Sequence, residues 1–245
     1  MKIFRKILAI AYLLIAASDI ISAAPANSGI NIRRILSDEK REISGFNGIS
    51  SAGSYHLFIT MGNTESLRLE GDAELIKEIE TKVENGVLKI RNKKQMNYRS
   101  WNNRGRINIY IQAKTLNSIL LSGSGNITVG GKINTEKLSN TISGSGSIDL
   151  TMDVDDYAGT ISGSGTIIAK GKADNASITV AGSGNFDGDS LRTANAATKV
   201  SGSGNICIHT DKNLDAILSG SGNVRYSGNA NVKSTKSGSG RISKR

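Results

Sequence analysis

The sequence predicts an all-β chain wound into a parallel β-solenoid, a β-helix of about seven coils, and three observations predict it. The phrase Ser-Gly-Ser-Gly starts at Ser122, Ser143, Ser162, Ser201, Ser219 and Ser237, and Ala-Gly-Ser-Gly starts at Ala181. Successive starts lie 21, 19, 19, 20, 18 and 18 residues apart, and such a period marks a repeat architecture. An apolar residue follows each phrase after one polar residue: Ile127, Ile148, Ile167, Phe186, Ile206, Val224 and Ile242. Another precedes six of the seven, at Leu121, Ile142, Ile161, Val180, Val200 and Leu218, with Lys236 in the last repeat. Strand side chains alternate faces, so Leu121, Gly123, Gly125 and Ile127 share one side and Ser122, Ser124 and Asn126 the other.

In a solenoid, equivalent residues stack roughly 4.8 Å apart, so seven coils make a rod of about 30 Å. The aliphatic columns fill the interior, and the glycines mark corners where no inward side chain fits. Helix is disfavoured, because each phrase carries two glycines at about 1 kcal/mol each. A flexible Gly/Ser linker has no reason to keep aliphatic residues in register with the phrase.

The elements follow in chain order. Lys2, Arg5 and Lys6 precede an apolar run from Ile7 to Ala17, and small residues follow at Ser22, Ala23 and Ala24. This is the pattern of a secretory signal peptide over residues 1–23, too short for a comfortable membrane span. A retained N-terminal anchor is the alternative. Residues 24–40 read as an extension and residues 41–243 as a single β-helix domain. Its first part, 41–114, is strand-rich and is expected to plug the N-terminal end of the stack. Tyr55–Ile59, Ser66–Glu70, Val87–Ile90 and Ile107–Ile111 read as strands between turn signals. Glu74 to Val83 reads as one short helix with Leu75, Ile76 and Ile79 on one side. The segment Arg91–Arg106 is basic and polar and carries Tyr98 and Trp101. Residues 115–243 are the repeat coils. Lys236 and Arg241 in the last repeat read as a charged C-terminal cap that discourages edge-to-edge pairing.

The chain has 245 residues and a formal net charge of +10. A basic exported protein is drawn to anionic sugars, lipids or nucleic acid, and export argues against nucleic acid. Cys207 is the one cysteine, which excludes an intramolecular disulfide; by alternation it faces away from Ile206 and Ile208. His56 and His209 have no neighbours at zinc-ligand spacing. The residues after the phrases (Asn126, Ser147, Thr166, Asn185, Asn205, Asn223, Arg241) are not acidic, which rejects calcium-dependent coiling. No Lys-Ser/Thr ending turns the Gly-x-Gly spacing into a phosphate loop. Neither a metal nor a cofactor is expected.

Gly45-Phe46-Asn47-Gly48-Ile49, Leu69-Glu70-Gly71-Asp72, Glu84-Asn85-Gly86-Val87-Leu88-Lys89-Ile90, the repeated phrase and Val224-Arg225-Tyr226-Ser227-Gly228 occur in that order. This ordered set resembles the head GIN domain family, exported bacterial proteins labelled auto-transporter adhesins. The resemblance spans about residues 41–243. It implies a right-handed parallel β-helix and an envelope or cell-surface role, and it brings no catalytic residue.

The resulting functional reading is a non-catalytic exported binding or adhesion module of the bacterial cell envelope. Its place is the periplasm, the cell surface or the extracellular space. Its partners are envelope or host glycans or surface proteins. The alternatives are a polysaccharide-modifying β-helix enzyme and a structural envelope protein that self-associates. Candidate ligand residues are the outward Ser124, Ser145, Ser164, Ser183, Ser203, Ser221 and Ser239, with Asn126, Asn185, Asn205 and Asn223 beside them. Regular hydroxyls and amides suit a long polysaccharide; the simpler reading is that they bond one another and stiffen the corner. Tyr98 and Trp101, among basic residues, suit stacking on sugars. For an enzyme, the best carboxylates are Asp149 and Asp187, equivalent positions two rungs and about 10 Å apart. That is marginal for an inverting glycosidase, which needs about 6.5–9.5 Å, and too far for a retaining one.

Overall fold

The expected columns run through the centre of the protein. Leu121, Ile142, Ile161, Val180, Val200 and Leu218 are buried, as are Ile127, Ile148, Ile167, Phe186, Ile206 and Val224. Each fully buried side chain of this size contributes on the order of 1.5–3 kcal/mol, which makes these columns the main source of stability. The computed structural model describes residues 36–93 and 105–245. The leader over residues 1–23, Tyr98 and Trp101 lie outside the described residues.

The coils are β8 (Ser118–Gly123), β9 (Asn126–Gly144), β10 (Ser147–Gly163), β11 (Thr166–Gly182), β12 (Asn185–Gly202), β13 (Asn205–Gly220), β14 (Asn223–Ser227), β15 (Asn231–Ser237) and β16 (Arg241–Lys244). They stack in parallel, with every phrase glycine opposite its counterpart, as in Gly123↔Gly144 and Gly144↔Gly163. The unequal repeat lengths are absorbed at bulges away from the corner. Thr128–Lys132 faces Asp149–Thr151, two residues shorter, which accounts for the step from 21 to 19. Gly188–Asn195 faces Ile208–Asn213, which accounts for the step from 20 to 18.

The N-terminal part completes the stack in a non-sequential order. β2 (Gly48–Gly53) and β3 (His56–Met61) form a coil directly beneath β8 and β9. Its corner is Ala52-Gly53-Ser54-Tyr55, with Gly53 opposite Gly123. This eighth corner escapes the sequence pattern because Tyr55 stands where the other phrases carry their second glycine. Beneath that coil lie β6 (Val87–Asn92) and β7 (Asn108–Ala113), parallel to β2 and β3. The buried Tyr55 ring reaches toward this level and donates its hydroxyl to Asn92 Oδ1 at 2.5 Å.

Antiparallel strands close the end. β1 (Leu36–Arg41) pairs with β4 (Ser66–Asp72), β4 with β7, and β5 (Ile79–Glu84) with β6. β1 thus takes in the last residues of the segment read as an extension. The helix expected over 74–83 is a correction: only α1 (Ala73–Lys77) is helical, and Ile79–Glu84 is a strand. Asp72 caps α1 through Oδ1, which accepts the backbone N–H groups of Glu74 and Leu75. Asn85 and Gly86 both have positive φ, 52° and 74°. That is the two-residue turn that joins hairpin strands, and it commits Ile79–Glu84 to pair with β6. Arg41 ties the pieces together, donating to the carbonyls of Ile76 and Ile79 and to Thr81 Oγ1 at 2.9, 2.7 and 3.0 Å.

Candidate functional site: the polar corner of the solenoid

The corner is built from glycine. Gly163 has φ of +120°, and a Cβ there would lie 2.5 Å from the Gly144 carbonyl oxygen of the coil beneath. The carbonyls at the corner accept backbone N–H groups of the next coil: Ser145 to Gly123 at 3.0 Å, Ser164 to Gly144, Ser183 to Gly163, Ser203 to Gly182 and Ser221 to Gly202, each at 2.9 Å. The serine backbones are thereby fixed. These five side chains, and those of Ser124 and Ser239, are exposed on successive coils. Among the described residues none of these seven hydroxyls has a hydrogen-bond partner.

The asparagines behave differently. Asn205 Nδ2 donates to Asn185 Oδ1 and Asn223 Nδ2 to Asn205 Oδ1, both at 2.9 Å. Asn126 Oδ1 accepts from Ser147 Oγ at 2.9 Å. The two readings of the corner therefore divide by residue type. The amides of Asn185, Asn205 and Asn223 bond one another along the stack, and the seven phrase hydroxyls stay open to solvent.

A second ladder lies about a dozen residues beyond each phrase. Asn175 Nδ2 donates to Asp156 Oδ1, Asn195 to Asn175 and Asn213 to Asn195, at 3.0, 3.0 and 2.8 Å. With Ala158, Ser177 and Ala197 and the buried Ala176 and Ala196, it lines a groove of about 1030 Å³. The sequence holds a signal for it: Asn175, Asn195 and Asn213 recur 13, 14 and 12 residues after the starts of their phrases.

The acidic pair considered for glycosidic chemistry is otherwise engaged. Asp149 and Asp187 flank Ile168 in the strand register, two rungs apart. Asp149 is paired with Lys170 at 2.9 Å, and Asp187 accepts the backbone N–H of Asp189 at 3.2 Å. Cys207 is a half-buried free thiol between Asp187 and Arg225 in register, while Ile206 and Ile208 are buried. His209 lies near Ser227 Oγ at 2.9 Å and near Asp211 at 3.2 Å. Among the described residues no three His, Cys, Asp or Glu side chains converge as metal ligands. In the N-terminal part, hydrogen bonds from Lys89 and Lys82 hold the Glu84 carboxyl down at about 2.

A family model described as "Putative auto-transporter adhesin, head GIN domain" matches residues 45–230. The chain belongs to this family. The head GIN fold also links it to solved structures. A putative adhesin from Bacteroides fragilis NCTC 9343 matches with TM-score 0.81 at 23% identity, over 86% of this chain and 97% of that one. A putative lipid binding protein from Parabacteroides distasonis ATCC 8503 matches with TM-score 0.71 at 24% identity, over 86% and 96%. A putative adhesin from Parabacteroides merdae ATCC 43184 matches with TM-score 0.66 at 20% identity, over 86% and 96%. At these identities the likeness to each of them is one of fold. No curated protein matches the chain. Among the described residues no helix is long and apolar enough to cross a membrane.

Proposed function

We propose that this head GIN chain is a non-catalytic binding module of the bacterial cell envelope that grips an extended surface glycan along its serine corner. The observation that carries this reading is the row of seven exposed hydroxyls, five of them on serines whose backbone N–H is bonded to the coil beneath and none with a partner among the described residues. Hydroxyls spaced about 4.8 Å apart along a rigid rod present repeated donors and acceptors. A polymer whose own repeat is close to that spacing satisfies many of them at once. Each bond contributes little alone, and many in series add avidity. Pre-organisation of the corner lowers the entropy that binding would otherwise cost. The leader-like pattern of residues 1–23, basic residues before an apolar run, supports a position outside the cytoplasm. Protease shaving of intact cells distinguishes a surface position from a periplasmic one.

The test is a glycan array probed with the mature chain and with the variant Ser164→Ala/Ser183→Ala/Ser203→Ala. Retention of envelope or host glycans by the parent, with loss in the triple variant, supports the reading. Equal retention by both moves the contact face away from the corner. Absence of any retained glycan at physiological salt defeats the proposal.

A further inference from the structure

We propose that Arg225 and Arg241 form a binding site for a phosphate group at the C-terminal end of the serine corner. β14 and β16 lie side by side with Asn223 opposite Arg241 and Arg225 opposite Ser243. Val224 is buried and Ile242 half-buried, so the four intervening side chains share the outer face. The two arginines sit on the diagonal of this square, a separation of roughly 7–8 Å between backbones that long side chains bridge. Together with Asn205 the four line one depression of about 320 Å³.

The donors in that depression are unspent. Among the described residues neither the Arg225 nor the Arg241 guanidinium has a hydrogen bond or an ion pair. Arg68 and Arg91, by contrast, are held by Asp38 and Glu80 at 2.8 and 2.7 Å. Asn223 uses one N–H on Asn205 and keeps the other. The C-terminal segment itself carries charge of one sign. From Ala216 to Arg245 the sequence contains Arg225, Lys233, Lys236, Arg241, Lys244 and Arg245 and no Asp or Glu. Arg245 pairs with Asp189. Along the column of Arg225 the next carboxylate is Asp187, beyond Cys207 and so two rungs away. That is about 10 Å, roughly one screening length at ordinary salt.

Two planar guanidinium forks lining one small depression suit a tetrahedral oxyanion, because each fork offers two parallel N–H donors. The Ser243 hydroxyl and the Asn223 amide supply neutral donors for the remaining oxygens. Protection of a sheet edge asks only for charge on the strand. It does not ask for two unpaired guanidiniums on one face beside an amide and a hydroxyl. Ser221 and Ser239 lie two residues before Asn223 and Arg241, so the site continues the serine corner. The phosphate is carried by an envelope glycan or by a lipid headgroup; the site needs neither the glycan reading nor the serine hydroxyls.

The test follows backbone amide shifts of the full mature chain during titration with inorganic phosphate and with glucose 6-phosphate. Cosedimentation with phosphatidylcholine vesicles, with and without phosphatidylglycerol, runs in parallel. Phosphate is expected to shift the amides of Asn223, Arg225, Arg241 and Ser243. Arg225→Gln/Arg241→Gln is expected to weaken the affinity at least tenfold, and Arg192→Gln, an exposed arginine elsewhere, to leave it unchanged. Cosedimentation only with phosphatidylglycerol identifies the lipid source, and binding of glucose 6-phosphate without vesicles identifies the glycan source; either result supports the site. No shift at these four residues, or equal weakening by Arg192→Gln, overturns it. A double variant that keeps its phosphate affinity but begins to self-associate also overturns it, and assigns the arginines to edge protection.

Discussion

Two positions, the buried Tyr157 and the half-buried Gly163, show how sharply the solenoid constrains single residues. The Tyr157 ring packs against Phe186 with centroids 6.1 Å apart, and its buried hydroxyl has no hydrogen-bond partner among the described residues. A buried unpaired hydroxyl carries a desolvation penalty of roughly 1–3 kcal/mol. Tyr157→Phe is therefore expected to hold or raise stability at neutral pH, by up to about 1 kcal/mol in a urea unfolding series. Burial also pushes the Tyr157 pKa well above its ordinary value of 10.0. The unfolded chain ionises near 10 and the folded chain does not, so stability is complete below that pH and falls as pH rises past it. The phenylalanine variant should lose part of this alkaline slope; an unchanged slope between pH 9 and 11, or a large loss at neutral pH, refutes the assignment. Gly163 sets the opposite case. Its φ of +120° and the 2.5 Å approach to the Gly144 carbonyl leave no room for Cβ. Gly163→Ala should cost roughly 2–4 kcal/mol, above the ~1 kcal/mol typical of substitutions. Ser164→Ala next to it, which removes only an unpartnered hydroxyl, should shift the thermal midpoint hardly at all.

The strands are held in register by their amides as well as by their apolar columns. Asn205 is the middle member of its ladder, donating to Asn185 and accepting from Asn223. Among the described residues Asn185 makes a single ladder bond, as acceptor. Asn205→Ala removes two hydrogen bonds and Asn185→Ala one, at about 0.5–1.5 kcal/mol each. The middle substitution should therefore destabilise about twice as much in parallel chemical denaturation; equal losses would mean that the bonds contribute nothing measurable. The same elements show what the sequence makes legible. Columns such as Leu121–Ile142–Ile161 recur at the repeat spacing and could be read directly. The serine corner and its asparagines were legible as positions, and their division into free hydroxyls and bonded amides was not, because alternation says which way a side chain points and nothing about its partners. The β5 strand was concealed by Leu75, Ile76 and Ile79, whose spacing imitates a helix. The signal that decides it is Asn85-Gly86 followed by Val87–Ile90, a hairpin turn that needs a strand on both sides. The groove ladder was missed because its asparagines lie outside the conspicuous phrase.

Across the whole molecule, stability is a sum over neighbouring coils, so its distribution depends on what covers each end. The placement of β6 and β7 beneath β2 and β3 was not legible, since pairing between segments distant in sequence leaves no local periodicity. Its consequence is a well-covered N-terminal end: Leu69, Leu75, Ile76 and Ile79 are buried there, and Arg41 clamps β1 to α1 and β5. The C-terminal coil differs. Every residue of β15 is exposed, Val232 is 39% exposed, and Lys236 stands opposite Leu218 where earlier coils place an aliphatic side chain. Its neighbour contacts supply the least burial, and local opening follows the least buried unit. Hydrogen exchange of the mature chain should release the β15 and β16 amides first and the β10–β12 amides last, with the N-terminal antiparallel strands protected above the C-terminal coil. Lys236→Leu should slow exchange in β15 by extending the Leu218 column, while raising self-association in light scattering because an edge charge is lost. Uniform protection across all coils would show a single cooperative unit instead. Earliest release at β1 and α1 would show that the Arg41 clamp does not hold the end closed.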